Sequence, residues 1–234
     1  MPAEVVEWGL VPYPEALERM RELRRRRARG EVPDTLILVR HPPILTVGVQ
    51  GTGGGSLPPG LPVFAVERGG HATYHDPGQW VGYPIVDLNA RGRDVRRFVH
   101  ELEEMVCRAV APLGVQAGRR PGERGVWVGG ARKLASVGVA VEEWVTSHGF
   151  ALNVSTDLRV FRSFKPCGLE GDVMTSLSEE LGRPVDLEEV RPLLLEAWNE
   201  VFGGLPRPPG TVPFTPLLRS REPSDRVSAP LRQL

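Results

Sequence analysis

An α/β domain is predicted by three features of the chain. Short apolar runs, with residues 35–40 (TLILVR) the plainest, have the length and composition of buried strands. Residues 93–113 repeat apolar side chains at helical spacing and stop at Gly114, as an amphipathic helix does. Residues 126–128 and 133–139 flank Gly129-Gly130, the pattern of a hairpin.

From the N-terminus, residues 5–8 read as a first strand. Tyr13-Pro14-Glu15 opens a helix to about Ala28, with Ala16, Leu17, Met20 and Leu23 apolar and Arg24 to Arg27 on the other face. Such a run is ordinarily a solvated face; its functional alternative is a landing site for an acidic partner. After residues 35–40, His41-Pro42-Pro43 turns the chain and residues 44–47 resume it. Residues 48–60 are a glycine- and proline-rich loop without the Gly-Lys-Ser/Thr ending of a phosphate-binding P-loop. A strand over 63–67 runs into Arg68-Gly69-Gly70-His71-Ala72-Thr73-Tyr74-His75-Asp76-Pro77-Gly78-Gln79. Glycines there let the backbone lie against a ligand, and Arg68, Thr73, Tyr74 and His75 offer polar contacts. The segment reads as a pocket wall, although each histidine alone is equally a structural hydrogen bonder. Residues 80–88 and 146–154 are further strands. Cys107, at the edge of the apolar stripe of helix 93–113, reads as structural. Asp172 is the expected N-cap of a helix carrying Val173, Leu177 and Leu181 on one face and stopping at Gly182. A last helix lies within 186–202, where Asp186 and Glu189 resemble a capping box and Pro192 implies a kink or a later start. Residues 1–204 then form a single domain, and 205–234 a proline- and arginine-rich tail.

Two side chains within residues 125–171 can act on an acyl group. Cys167 lies in Phe164-Lys165-Pro166-Cys167-Gly168, and Lys133 in Arg132-Lys133-Leu134-Ala135-Ser136. Only the thiolate attacks well, and a nearby ammonium favours it. Of 29 lysines and arginines, only Lys133 and Lys165 are lysine. A lysine can lose its proton whereas guanidinium stays charged, so lysine kept at these places suggests a task arginine cannot do. The bland alternative is a GC-rich genome or a heat-adapted lineage in which two lysines survived by chance. Pro166 and Gly168 shape the loop around Cys167. A thiol just before a helix start also feels the positive end of its dipole. The competing reading is a buried, inert cysteine.

The 234 residues fit one domain with a sizeable core, at 41% hydrophobic. Zero formal net charge argues against broad nucleic-acid binding. Cys107 and Cys167 give neither a disulfide framework nor metal-ligand spacing. No signal peptide or membrane-length apolar run is evident. A cytosolic, reduced, soluble protein is expected, with no nucleic-acid or membrane partner.

Several separate stretches, in order, resemble the octanoyltransferases of lipoate biosynthesis, also called lipoyl(octanoyl) transferases. They are His41-Pro42-Pro43, Arg68-Gly69-Gly70 through Thr73-Tyr74-His75 to Pro77-Gly78-Gln79, Lys133 through Ser136-Val137-Gly138, His148-Gly149-Phe150-Ala151-Leu152-Asn153, and Pro166-Cys167-Gly168. Together they span roughly residues 36–182. The resemblance implies an α/β (α+β) fold, a mixed β-sheet flanked by helices like that of the biotin and lipoate protein ligases. It implies that Cys167 takes an octanoyl group from octanoyl acyl carrier protein as a thioester. A lysine of a lipoyl domain then takes that group as an amide, the first step of endogenous protein lipoylation. Lys133 is implied as the residue that lowers the thiol pKa. The substrate site is implied to comprise Arg68, Gly69, Gly70, His71, Ala72, Thr73, Tyr74, His75, Ser136, Val137, Gly138, Gly149, Phe150 and Ala151. Acceptors are the lipoyl domains of 2-oxoacid dehydrogenases and the glycine cleavage H protein, and no cofactor or metal is implied.

Two departures bear on this. The family usually has glutamine in place of His71 and commonly glycine in place of Asp76. His75-Asp76 is similar to the histidine-aspartate pair of ATP-dependent lipoate ligases, which keeps a ligase as the alternative; Pro166-Cys167-Gly168 has no use in an enzyme that makes an acyl adenylate. A binding module without catalysis is a third reading, opposed by the presence of both Lys133 and Cys167. Because acyl carrier proteins are acidic, Arg119, Arg120 and Arg124 are the expected docking residues.

Overall fold

Alternation along the strands puts apolar side chains on both faces of one sheet, and helices cover both. The computed structural model describes residues 3–166 and 169–203. In chain order the first half comprises β1 (Glu4–Leu10), α1 (Tyr13–Ala28), β2 (Thr35–Arg40), β3 (Ile44–Val47), β4 (Val63–Ala65), β5 (Ala72–His75), β6 (Gln79–Ile85) and α2 (Val95–Val110). Then follow β7 (Ala117–Arg120), β8 (Glu123–Val128), β9 (Arg132–Glu142), β10 (Val145–Asn153), α3 (Leu158–Phe161), α4 (Leu177–Leu181) and α5 (Leu187–Phe202).

The large sheet runs β1-β2-β6-β10-β9-β8-β7, parallel between β1 and β2 and antiparallel elsewhere. Leu36 and Leu38 of β2 join Trp80, Phe150 and Leu152 in the core beneath α2 and α5. Their neighbours Ile37 and Val39 join Val81, Tyr83 and Ala151 beneath α1. Because both faces are buried, β2 reads as an unbroken apolar run rather than an alternating one. A small sheet, β4-β3-β5, is separate from the large one.

The α/β expectation with a mixed sheet is met. Several local expectations are corrected. β5 emerges from what reads as an irregular pocket wall, because β3 pairs with it antiparallel from Ile44↔His75 to Val47↔Ala72. β7, the four-residue edge strand AGRR, carries no apolar alternation and forms only because β8 pairs with it. Asp172 does not cap a helix: it lies in a single 3₁₀ turn, Gly171–Val173. α4 starts later, capped by Ser176, whose side chain accepts from the Glu179 amide. The helix expected from Asp172 therefore begins at Leu177 and spans five residues, and Cys167 itself lies outside the described residues. α5 begins at Leu187 and carries Pro192 inside it. Asp186 accepts from the Glu188 amide, but Glu189 turns away to pair with Arg183, so the reciprocal half of the capping box is unused. The tail expected over 205–234 lies outside the described residues. No described helix is long and apolar enough to cross a membrane.

Candidate active site

The pleat of β5 sorts its side chains into two sets. Ala72 and Tyr74 point into a cluster with Leu158, Phe161, Phe164 and Met174. Thr73 and His75 point the other way, into a cavity between β5 and the large sheet. The loop before β5 closes one side of that cavity. The Gly69 amide donates to the Val139 carbonyl at 2.9 Å, laying Arg68-Gly69-Gly70 across β9. This approach requires glycine at 138, since a β-carbon there would stand 2.7 Å from the Gly69 oxygen. Arg68 is buried and locks the loop, donating to the carbonyls of Thr46, Gly69 and His71 and to the Thr46 hydroxyl.

Of the substrate residues expected, Arg68, Gly69, Gly70, Thr73, His75, Ser136, Val137, Gly138, Gly149, Phe150 and Ala151 line this cavity. His71 does not: its Nδ1 faces the Gln50 carbonyl at 2.9 Å, near the surface. Ala72 and Tyr74 do not either, being on the opposite face of β5. Asp76 is a structural residue. Its carboxylate accepts from the Gly78 and Asp157 amides, both at 2.9 Å.

Sequence reasoning missed Tyr13, Val81, Tyr83 and His148, which also line the cavity. Tyr13 and Tyr83 come from α1 and β6, and no local pattern marks them. His148 had a legible signal, the glycine beside it. It adopts φ 55°, a left-handed conformation within a strand, which side chains other than glycine seldom take. Its Nε2 stands 3.8 Å from Glu67 and its Nδ1 3.5 Å from the Tyr13 hydroxyl. Burial lowers the His148 pKa, with Glu67 opposing, so the ring is neutral at pH 7. His75, whose Nδ1 faces the Gln79 side-chain oxygen at 3.0 Å, is likewise held neutral by burial.

Lys133 is 3% exposed. It sits near the start of β9, three residues before the cavity wall Ser136-Val137-Gly138. Its ammonium lies 5.4 Å from the centre of the Trp127 ring. Gly125 of β8 makes room for it. With φ 113° and a phantom β-carbon 2.8 Å from the Lys133 Cε, this position admits only glycine without rearrangement. The Gly125 amide donates to Glu103 of α2 at 2.8 Å. Glu103 is buried; desolvation raises its pKa, opposed by the Gly125 amide and then by Arg119, Arg124 and Lys133. A glutamate on the core face of an amphipathic helix gives no periodic signal, so this partner was not legible. Lys165, by contrast, forms an exposed ion pair with Glu170 at 2.8 Å.

Cys167 and Gly168 lie outside the described residues; the segments on either side of them are well anchored. Phe164 stacks on Phe161 in the cluster under β5. Met174 forms a bridge with Lys133, and the Thr175 amide donates to the Lys133 carbonyl at 3.0 Å. Gln79 and Asn153 continue this bracing. Gln79 Nε2 donates to Asn153 Oδ1 at 2.8 Å, and Asn153 Nδ2 donates to the Thr175 carbonyl at 2.8 Å. Cys107 is buried in the main core, and burial pushes its thiol up to about 12, the behaviour of a structural cysteine. No described group of three or more His, Cys, Asp or Glu residues is placed to hold a metal ion.

This fold is shared with a crystal structure of lipoate-protein ligase A bound with ATP. The TM-score is 0.64 at 19% identity, covering 86% of this chain and 84% of that one. Residues 12–199 match the model of the lipoyl protein ligase A/B catalytic domain, and the chain belongs to that family. Octanoyltransferases are among its curated relatives. The one from Geobacter metallireducens is 48% identical over 183 residues, 78% of this chain and 85% of the relative. The one from Syntrophotalea carbinolica is 45% identical over 188 residues, 80% of this chain and 89% of the relative.

Proposed function

We propose that this chain is an acyltransferase that moves an octanoyl group from octanoyl acyl carrier protein, through a thioester on Cys167, to the lysine amine of lipoyl domains. The observation that carries the reading is the burial of Lys133 on the strand that also walls the cavity, with the segment following Cys167 bonded to its backbone.

In the first step the Cys167 thiolate attacks the donor thioester carbonyl. A new C–S bond forms, the donor C–S bond breaks, and the carrier thiolate leaves with the proton that the Lys133 ammonium gives up, so Lys133 is left neutral. The Lys133 ammonium favours the attacking thiolate. In the second step a neutral lysine amine attacks the Cys167 thioester, the C–N bond forms, and the cysteine sulfur leaves. The neutral Lys133 accepts the proton that the attacking amine loses, and Cys167 leaves as a thiolate beside a Lys133 ammonium again. The octanoyl chain lies in the cavity between β5 and the large sheet. The inner wall is aromatic, with Tyr13, Tyr83 and Phe150. The acceptors are the lipoyl domains of 2-oxoacid dehydrogenases and of the glycine cleavage H protein, and the reaction belongs in the cytoplasm, where the thiol stays reduced.

Intact-protein mass after mixing with octanoyl acyl carrier protein, without ATP, tests this on wild type and Cys167→Ser. One octanoyl group on wild type alone, which then moves to a lipoyl domain, is expected. Acylation of neither protein, with lipoyl-domain modification only when ATP and free octanoate are supplied, would mean a ligase instead.

A further inference from the structure

A groove of about 750 Å³ runs between the first half of α2 and the β7–β8 hairpin. Arg96, His100, Arg119, Arg120 and Arg124 line it, with Glu103 and Glu123 as the opposing charges. Glu103 is buried and bonded to the Gly125 amide, and its one charge is shared among Arg119, Arg124 and Lys133, so it and Glu123 leave the four groove arginines in excess. Arg96 and Arg119 lower the His100 pKa, after burial, which reports the positive field there.

The surplus is local. The chain as a whole is neutral. The longest arginine run in the described chain, on α1, is spent internally: Arg24 pairs with Glu142, Arg25 with Glu22, Arg26 with Glu31 and Arg27 with Asp34. Among the described residues no such carboxylate closes on Arg96, Arg120 or Arg124. The groove also abuts the chemistry. Arg124 would stand 3.5 Å from a β-carbon on Gly69, in the cavity wall. Arg120 lies 4.8 Å from the centre of the Trp127 ring that Lys133 also approaches.

We infer that this groove docks the acidic protein surface of the acyl donor, presenting its thioester to the cavity beside Arg124. The inference rests on the transfer reading above and deepens it by placing the donor rather than the acceptor on this face. Opposed charge there speeds encounter and fixes register.

Binding and turnover together test it. Binding of a labelled acyl carrier protein is followed by fluorescence anisotropy for wild type, Arg96→Glu and Arg124→Glu. Transfer rates are compared with octanoyl carrier protein and with octanoyl-N-acetylcysteamine, which carries the same thioester without a protein. Each reversal is expected to weaken carrier binding about tenfold, an effect that shrinks as salt rises. The ratio of kcat/KM for the carrier donor to that for the small thioester falls by a similar factor, chiefly through KM. Carrier lacking its phosphate-bearing arm is expected to show the same sensitivity. Unchanged carrier binding in both variants overturns the docking site. So does a sensitivity confined to carrier that bears the arm, which would make the arm's phosphate the ligand. A weakened KM for the lipoyl domain instead would assign the groove to the acceptor and also overturn it. Arginine-dependent carrier binding by a protein that transfers nothing keeps the docking site and sinks the transfer reading.

Discussion

At the scale of single residues, the site is defined by what surrounds Lys133. A buried ammonium is costly unless its charge is answered. Here the Trp127 ring and the Glu103 carboxylate supply that answer, and Gly125 supplies the space. Lys133→Arg keeps the charge and removes the transferable proton. Mass spectrometry is expected to show Cys167 acylated, while transfer to the lipoyl domain falls by about 10²-fold or more; transfer at the wild-type rate would end the proton-transfer role. Gly138→Ala is a second residue-scale prediction. Its new methyl would press on the Gly69 oxygen and on Arg68, 3.3 Å away at Cδ. Overpacking of this kind costs about 1–3 kcal/mol. Thermal melting and KM for the donor are expected to move together, and a KM equal to wild type would show that the loop does not touch substrate.

The elements matter through how they are tied together. β9 carries Lys133 at one end and the cavity wall in the middle, so its position decides both. β8 and β10 pair with it on either side, and Met174-Thr175 adds a short third contact at its start. α4 reinforces that end, where Glu180 bonds both Arg132 and Thr175. Asn153, at the end of β10, is the hub between Gln79 and the Thr175 carbonyl. In Asn153→Ala both partners lose a buried hydrogen bond, for a cost of about 1–3 kcal/mol. Urea unfolding should show that loss. The step in which Cys167 is acylated should slow more than the stability loss explains, because Thr175 no longer braces Lys133. Acylation kinetics at wild-type speed would confine Asn153 to a purely structural part.

On the scale of the whole molecule, burial sets the pH dependence of stability. His41 is fully buried between the Val11 carbonyl and the Tyr83 hydroxyl, both at 2.8 Å. Burial lowers its pKa from 6.5 to about 4. Between those values the unfolded chain binds a proton that the native protein refuses, so stability rises with pH in this window. The contribution is complete above pH 6.5 and is lost as pH falls toward 4, roughly 3 kcal/mol for this histidine alone. His75 and His148 shift in the same direction. Urea midpoints should therefore drop steeply from pH 7 to pH 4.5, and His41→Gln should flatten that slope. A variant whose midpoint falls as steeply as wild type would place the pH sensitivity elsewhere.

Strands and long helices were legible in the residues because each obeys a local rule. β2 is an apolar run, α2 a helical stripe ended by Gly114, and β8 and β9 the arms of a glycine turn. Lys133 and the Arg68-Gly69-Gly70 loop stood out for the same reason, being unusual in composition or chemistry within a few positions. Long-range pairing decided the rest. β5 is a strand because β3 lies beside it, and that pleat turns His75 inward while it sends Tyr74 to another core. His71, adjacent in sequence to the cavity wall, turns to Gln50 instead. Glu103, Tyr13 and Tyr83 reach the site from α2, α1 and β6, distances along the chain that no local pattern encodes. The sequence by itself determined which residues can do chemistry. Only the tertiary structure decided which of them meet, because burial and backbone pairing are properties of partners far apart in the chain.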